Sequence, residues 1–173
     1  MQKEKIGSLN YHGVSKASVN IKLLAPCGLC CGVCGIYYAD KNNIEKLKQK
    51  LAQSYLTEPE QIKCDGCSSD NKFVYCDSCL IRECVLSKGL SGCHQCTEWP
   101  CEKVTNFPFP LAGEYMLKSI PARRERTDKE WVEWEEHNWS CRECGTLAFR
   151  GARICGKCRK DCLLYTSPSP RDS

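Results

Sequence analysis

The sequence has little from which to build a large apolar core. Its 173 residues include four phenylalanines, four tryptophans and two methionines, and the 42% hydrophobic content counts every cysteine as apolar. No stretch approaches eighteen consecutive apolar residues, which excludes a membrane-spanning helix from the reading. Met1 to Leu24 lacks an uninterrupted apolar run, because Lys16, Asn20 and Lys22 stand where one would lie, so no secretory leader is expected. No phosphate-binding loop, dinucleotide fingerprint or metalloprotease helix motif occurs. No catalytic residue is therefore assigned, and an enzyme is not the favoured reading.

Cysteine, in contrast, is abundant, with 17 residues against three histidines. Such a density marks disulfide scaffolds in short secreted chains. Without a leader the expected compartment is the cytoplasm, where thiols stay reduced and paired cysteines signal metal rather than disulfide. A structural zinc ion contributes an apparent ~10–16 kcal/mol of coupled folding energy, whereas small segments bury only ~60% of their unfolded surface and are marginal alone. Several zinc ions are the expected scaffold. The formal charge of +4 counts cysteines as neutral. Sixteen thiolates around four divalent ions would carry −8 and bring the chain to about −4, which weakens a general nucleic-acid-coating reading.

Five segments follow from composition and spacing. Residues 1–24 read as a flexible extension, and residues 25–107 as a multi-metal cysteine-rich domain with twelve cysteines between Cys27 and Cys101. Residues 108–140 read as a linker with a tryptophan-bearing helix, residues 141–160 as a zinc ribbon, and residues 161–173 as a disordered tail. Ile44, Leu47, Leu51 and Tyr55 recur at helical spacing, predicting a helix over 43–55 capped by Asp40 or Asn42. Thr57-Glu58-Pro59-Glu60 has a capping-box pattern with proline in the first turn. A third helix is predicted over 78–88, ended by Gly89, with Leu80, Ile81, Cys84 and Val85 on one face. Asp128 is expected to cap a helix carrying Trp131 and Trp134, with the tryptophans as core or domain-docking residues. Residues 162–172 resemble the translated read-through of a sequencing-library adapter, which would remove Cys162 from the ligand count.

The strongest local signal is Cys141-x-x-Cys144 followed by Cys155-x-x-Cys158. Each pair can chelate through neighbouring sulfurs, and a hairpin between them would complete a tetrahedral zinc set. Gly145 and Gly156 permit the tight backbone of such turns. Upstream, Cys64/Cys67, Cys76/Cys79 and Cys93/Cys96 repeat the two-residue spacing, Cys84 and Cys101 stand alone, and Cys27, Cys30, Cys31 and Cys34 crowd the front. Pairing among these is open from spacing alone.

The ordered series Pro26-Cys27-Gly-Leu, Cys31-Gly-x-Cys34, Cys64-x-Gly-Cys67, Tyr75-Cys76-x-x-Cys79-x-Ile81-Arg82-x-Cys84, Cys93-x-x-Cys96 and Pro100-Cys101-Glu102-Lys103 resembles domain of unknown function 3795 over residues 25–107. The resemblance implies zinc binding and supplies no activity. It covers eleven cysteines, Cys27, Cys31, Cys34, Cys64, Cys67, Cys76, Cys79, Cys84, Cys93, Cys96 and Cys101, with Cys30 or His94 as a candidate twelfth ligand or one site left open. Cys30 departs from the family pattern.

Cys27-x3-Cys31-x2-Cys34 also has the spacing of a radical S-adenosylmethionine cluster, but the 139 residues that follow are too few for the partial barrel such enzymes need. A bacterial ferredoxin spacing fails at Val33. A zinc-deaminase order fails because the only partner motif, Cys141-Arg-Glu143, comes after Pro26-Cys27. The expected fold class is a small metal-stabilised α+β protein. Its expected role is that of a cytoplasmic, zinc-binding protein-interaction module without a membrane partner. An iron–sulfur redox protein on Cys27, Cys31 and Cys34 is the alternative. A second alternative is nucleic-acid binding through Arg142, Arg150, Arg153, Lys157, Arg159 and Lys160, where Glu143 is the only acid before Asp161.

Overall fold

Short helices held by turns make up the chain, as the computed structural model describes it for residues 19–161. Helix α1 (Gly35–Lys41) leads into α2 (Glu45–Tyr55). Next come the four-residue α3 (Val74–Asp77) and α4 (Leu80–Ser87). After α5 (Glu102–Thr105) come α6 (Pro110–Arg124), the longest helix among the described residues, and α7 (Asp128–Asn138). Among the described residues the β content is three isolated bridges, Leu24↔Cys30, Ser140↔Leu147 and Ile154↔Asp161. Each closes a cysteine-bearing turn. The protein is thus helix-rich, and the β part of the expected α+β class is reduced to these contacts.

Sequence spacing placed α2, α4 and α7 to within a few residues, while their caps differ. Ile44, not Asp40 or Asn42, precedes α2, and Asp40 instead ion-pairs with Lys48 and accepts the Cys64 backbone N–H. Glu58 and Gln61 form the capping box around a 3-10 turn at Pro59–Gln61. Thr127 caps α7 by accepting the Glu130 N–H, and its own backbone N–H donates to the Glu130 carboxylate at 2.8 Å. In α4, Ile81 and Val85 are buried, but Leu80 is 63% exposed and leaves the predicted apolar face. Val19–Leu24, expected within the extension, contains a 3-10 turn that buries Leu23; the rest of the extension and Cys162 lie outside the described residues.

Among the described residues, three small cores replace one large one. The first gathers the Leu23–Val33 loop, Val132, Trp139 and the terminal turns, and four of its nine buried residues are cysteines: Cys30, Cys31, Cys141 and Cys155. A second packs Leu29, Ile81 and Val85 with Val104, Met116, Ile120 and Cys93. The third joins α1 and α2 to Ile62, Phe73 and Cys64. Thiols sit inside every core, so apolar burial and any bound ion would stabilise the same contacts.

Gly28 is where these layers meet. It has φ +89°, and a Cβ there would come within 2.2 Å of Ile120 Cδ1, while its carbonyl accepts the Trp131 indole N–H at 3.0 Å. Trp131 is fully buried, as expected for a core tryptophan, while Trp134, stacked on it at 4.8 Å, is only half-buried. Gly28→Ala is predicted to cost roughly 2–4 kcal/mol, combining a left-handed backbone with overpacking. A denaturant midpoint measured in excess zinc checks it; an unchanged midpoint would contradict this packing.

Candidate metal centre

The end of α7 delivers Cys141 into the first of two turns built alike. Cys141 N–H bonds Thr146 O at 2.8 Å and Gly145 N–H bonds Cys141 O at 2.8 Å. In the second, Cys155 N–H bonds Lys160 O at 2.9 Å and Arg159 N–H bonds Cys155 O at 3.1 Å. Gly145 and Arg159 occupy equivalent positions, both left-handed at φ 70° and 60°. The four sulfurs of Cys141, Cys144, Cys155 and Cys158 all lie within 4.8 Å of one another. Cys141–Cys158 and Cys144–Cys155 are each 3.6 Å apart. Lys157 N–H points at Cys155 Sγ, 3.4 Å away, and the Thr146 side chain and backbone hold the Cys144 thiol down to about 6. Four converging sulfurs with backbone donors can hold a metal ion. Among the described residues, this is the one group of three or more ligand atoms that compact.

Upstream, the structure sorts the cysteines in a way their spacing does not announce. Cys67 lies at the middle of a front group: its Sγ is 3.6 Å from Cys76 Sγ, and its N–H points at Cys31 Sγ, 3.4 Å away. The Cys67 thiol, bonded to both, lowers Cys31 and Cys76. Cys64 is adjacent, accepting from Gly66 N–H at 3.2 Å, and burial pushes its thiol up to about 11. Cys34 and Cys31 act on it electrostatically. Arg82 of α4 bonds Cys67 O at 3.2 Å and so ties this turn down.

Cys79, three residues beyond Cys76, stands at the start of α4 and packs into the second core beside Cys93 and Cys101. The Cys76/Cys79 pair is therefore divided between two groups. Cys84, Cys93, Cys96 and Cys101 share one small cavity of that core. Cys27 sits between front and rear, acted on by both Cys31 and Cys93, with burial pushing its thiol up.

Neither candidate for the twelfth ligand joins a compact group. Cys30 is buried among Leu23, Val132 and Trp139, and burial pushes its thiol up to about 12. Cys30→Ser is expected to retain the full wild-type metal content; loss of one equivalent on metal analysis would make it a ligand. His94 faces a different cavity, of about 620 Å³, beside Arg123 and Asp128. Burial and then Arg123 lower its pKa. The charges lining that cavity are largely paired, Lys41 with Asp65 and Arg123 with Asp128.

Arg150 corrects the expected basic surface. Its side chain is 11% exposed, 2.7 Å from the Oε2 of Glu135, which is 1% exposed. It also donates to Cys30 O at 3.3 Å, and its backbone N–H bonds Val33 O at 2.7 Å. Burial raises the Cys34 thiol, and the Arg150 charge pulls against that rise. The terminal turns are thereby held to α7 by a buried ion pair and to the front cysteine loop by two hydrogen bonds. No sequence signal marked it, since both residues read as ordinary surface charges. Arg142, Arg153, Lys157 and Arg159 remain exposed, while Lys160 pairs with Glu143 at 2.6 Å.

No helix among the described residues is long and apolar enough to cross a membrane. No curated protein and no solved structure matches the chain. Residues 23–106 match the model of a family described as protein of unknown function (DUF3795), a segment that holds the front and rear cysteine groups and ends before the four-sulfur terminal site.

Proposed function

We propose that this protein is a cytoplasmic zinc-binding module whose ions are structural and whose partner is another protein. The single observation that carries the reading is the convergence of Cys141, Cys144, Cys155 and Cys158 within 4.8 Å. A set of four thiolates is the donor chemistry of closed structural zinc sites, and such a site leaves no position for substrate. The name zinc ribbon rests on the paired turns, with their strands reduced to single bridges. The iron–sulfur alternative on Cys27, Cys31 and Cys34 has weaker support, since those sulfurs do not converge as the terminal four do.

A protein partner is favoured over nucleic acid by charge. Burial of Arg150 and pairing of Lys160 leave four exposed basic residues on the terminal turns, around a thiolate site that is itself negative. Phosphate contacts dominate nucleic-acid affinity, so binding of labelled single- and double-stranded nucleic acid is expected to be weak and lost with added salt. Submicromolar affinity at near-physiological salt, removed by Arg153→Ala with Lys157→Ala, would overturn the protein preference. Cobalt substitution tests the site itself. The full chain should show tetrahedral thiolate absorption that falls by one equivalent in Cys144→Ser; an unchanged cobalt spectrum in that variant would remove the carrying observation.

A further inference from the structure

The rear cavity gathers cysteines from three separate elements. Cys84 comes from the second turn of α4. Gly89, at φ +64°, ends that helix and turns the chain back. A 3-10 turn at Cys93–Gln95 then supplies Cys93 and leads to Cys96, and Cys101 precedes α5. All four line one cavity of about 40 Å³. That volume exceeds the ~10–15 Å³ a single water needs and is far below the ~300–1,000 Å³ of organic-ligand pockets.

Buried Ile81, Val85 and Val104 form the apolar part of the wall, and Lys88, Glu98 and Lys103 its charged part. Of the two lysines in this lining, Lys88 is set against sulfur: its Nζ lies 3.8 Å from Cys96 Sγ while pairing with Glu98 at 2.8 Å. The frame around the cavity is fastened from outside. Arg124 of α6 donates to His94 O at 2.9 Å and Cys96 O at 2.8 Å, and Cys93 N–H bonds Pro26 O at 2.9 Å. Several thiols facing one ion-sized space, beside a positioned ammonium, suit a thiolate-bound cation better than a set of spare packing residues.

We propose that Cys84, Cys93, Cys96 and Cys101 form a second four-thiolate site for a soft divalent ion of the zinc class, independent of the terminal site. The proposal rests on the metal-binding reading above and adds a division of the upstream cysteines into separate centres. Zinc–sulfur bonds of ~2.3 Å would draw these sulfurs closer than they stand here, where, among the described residues, only the terminal four are all mutually within 4.8 Å. Each thiol gives up its proton on binding. Cys79, packed against the same core, is the competing ligand.

Metal analysis of the full-length zinc-loaded chain tests this directly. Cys96→Ser is expected to lose one equivalent, Cys144→Ser a different one, and the double variant two, while Cys79→Ser loses none. If Cys96→Ser keeps wild-type content while Cys144→Ser loses an equivalent, the rear site fails and the metal-binding reading stands. Absence of metal from the wild-type chain would sink both. Because a variant can fail to fold, cadmium-113 correlation spectra of the intact cadmium-loaded protein provide a second readout. They should connect the β-protons of all four cysteines to one cadmium resonance; connection to different ions, or replacement of one by Cys79, would overturn the assignment.

Discussion

Removing metal from the chain with a strong chelator is expected to abolish its cooperative unfolding transition. Each of the three cores is small and each contains cysteine, with four of nine residues in the first. Stripped of metal, those thiols remain as weak packing groups, and burial already pushes several of them toward the neutral form. A structural zinc contributes an apparent ~10–16 kcal/mol, against a typical net stability of about 5–15 kcal/mol for a whole domain. Loss of one ion can therefore exceed everything else the fold has in reserve. Calorimetry of fully metal-free protein checks this; a sharp transition surviving there would show that the apolar cores suffice alone.

The second large effect is expected at Arg150. Arg150→Met should destabilise the protein by roughly 3–5 kcal/mol, because it leaves the Glu135 carboxylate buried without its partner. Glu135 is 1% exposed and its Oε1 has no hydrogen-bond partner even with Arg150 present. Adding Glu135→Leu to Arg150→Met should recover most of the loss, since an apolar pair in place of a buried ion pair is often neutral. Urea denaturation of the two single variants and the double variant, all zinc-saturated, measures the coupling. Additive losses would mean that the two side chains act independently. A surface role for Arg150 predicts the opposite pattern: near-native stability with altered binding of polyanions.

The terminal site was legible because its information is local. Two pairs of cysteines, each two residues apart and ten residues from each other, need only tight turns to converge, and Gly145 supplies one left-handed turn openly. Arg159 takes the same conformation in the other turn, against its residue type. Helix α2 was legible from its apolar spacing, as was α7 from its capping residues and tryptophans. Helix α6 was not: its buried stripe runs through Gly113, Met116, Ile120 and Arg123, while Leu111 faces solvent. A glycine and an arginine on the core face, with a leucine outside, erase the periodic signal.

The division of Cys76 from Cys79 was hidden for a different reason. Spacing says that the pair can share an ion, but α3 ends between them at Asp77, and tertiary packing sends the sulfurs to different cores. The ion pair of Glu135 with Arg150 spans fifteen residues and two elements, and nothing in either neighbourhood distinguishes it from solvated charge. The resemblance in the front segment predicted a metal-binding series without saying which sulfurs meet.

Metal analysis of the anaerobically purified chain, with its visible spectrum, tests the central claim most directly. The account predicts a colourless protein containing zinc, with at least one equivalent lost on Cys144→Ser. Stoichiometric iron and acid-labile sulfide with charge-transfer absorption in the visible would contradict it and make the front cysteines a redox centre.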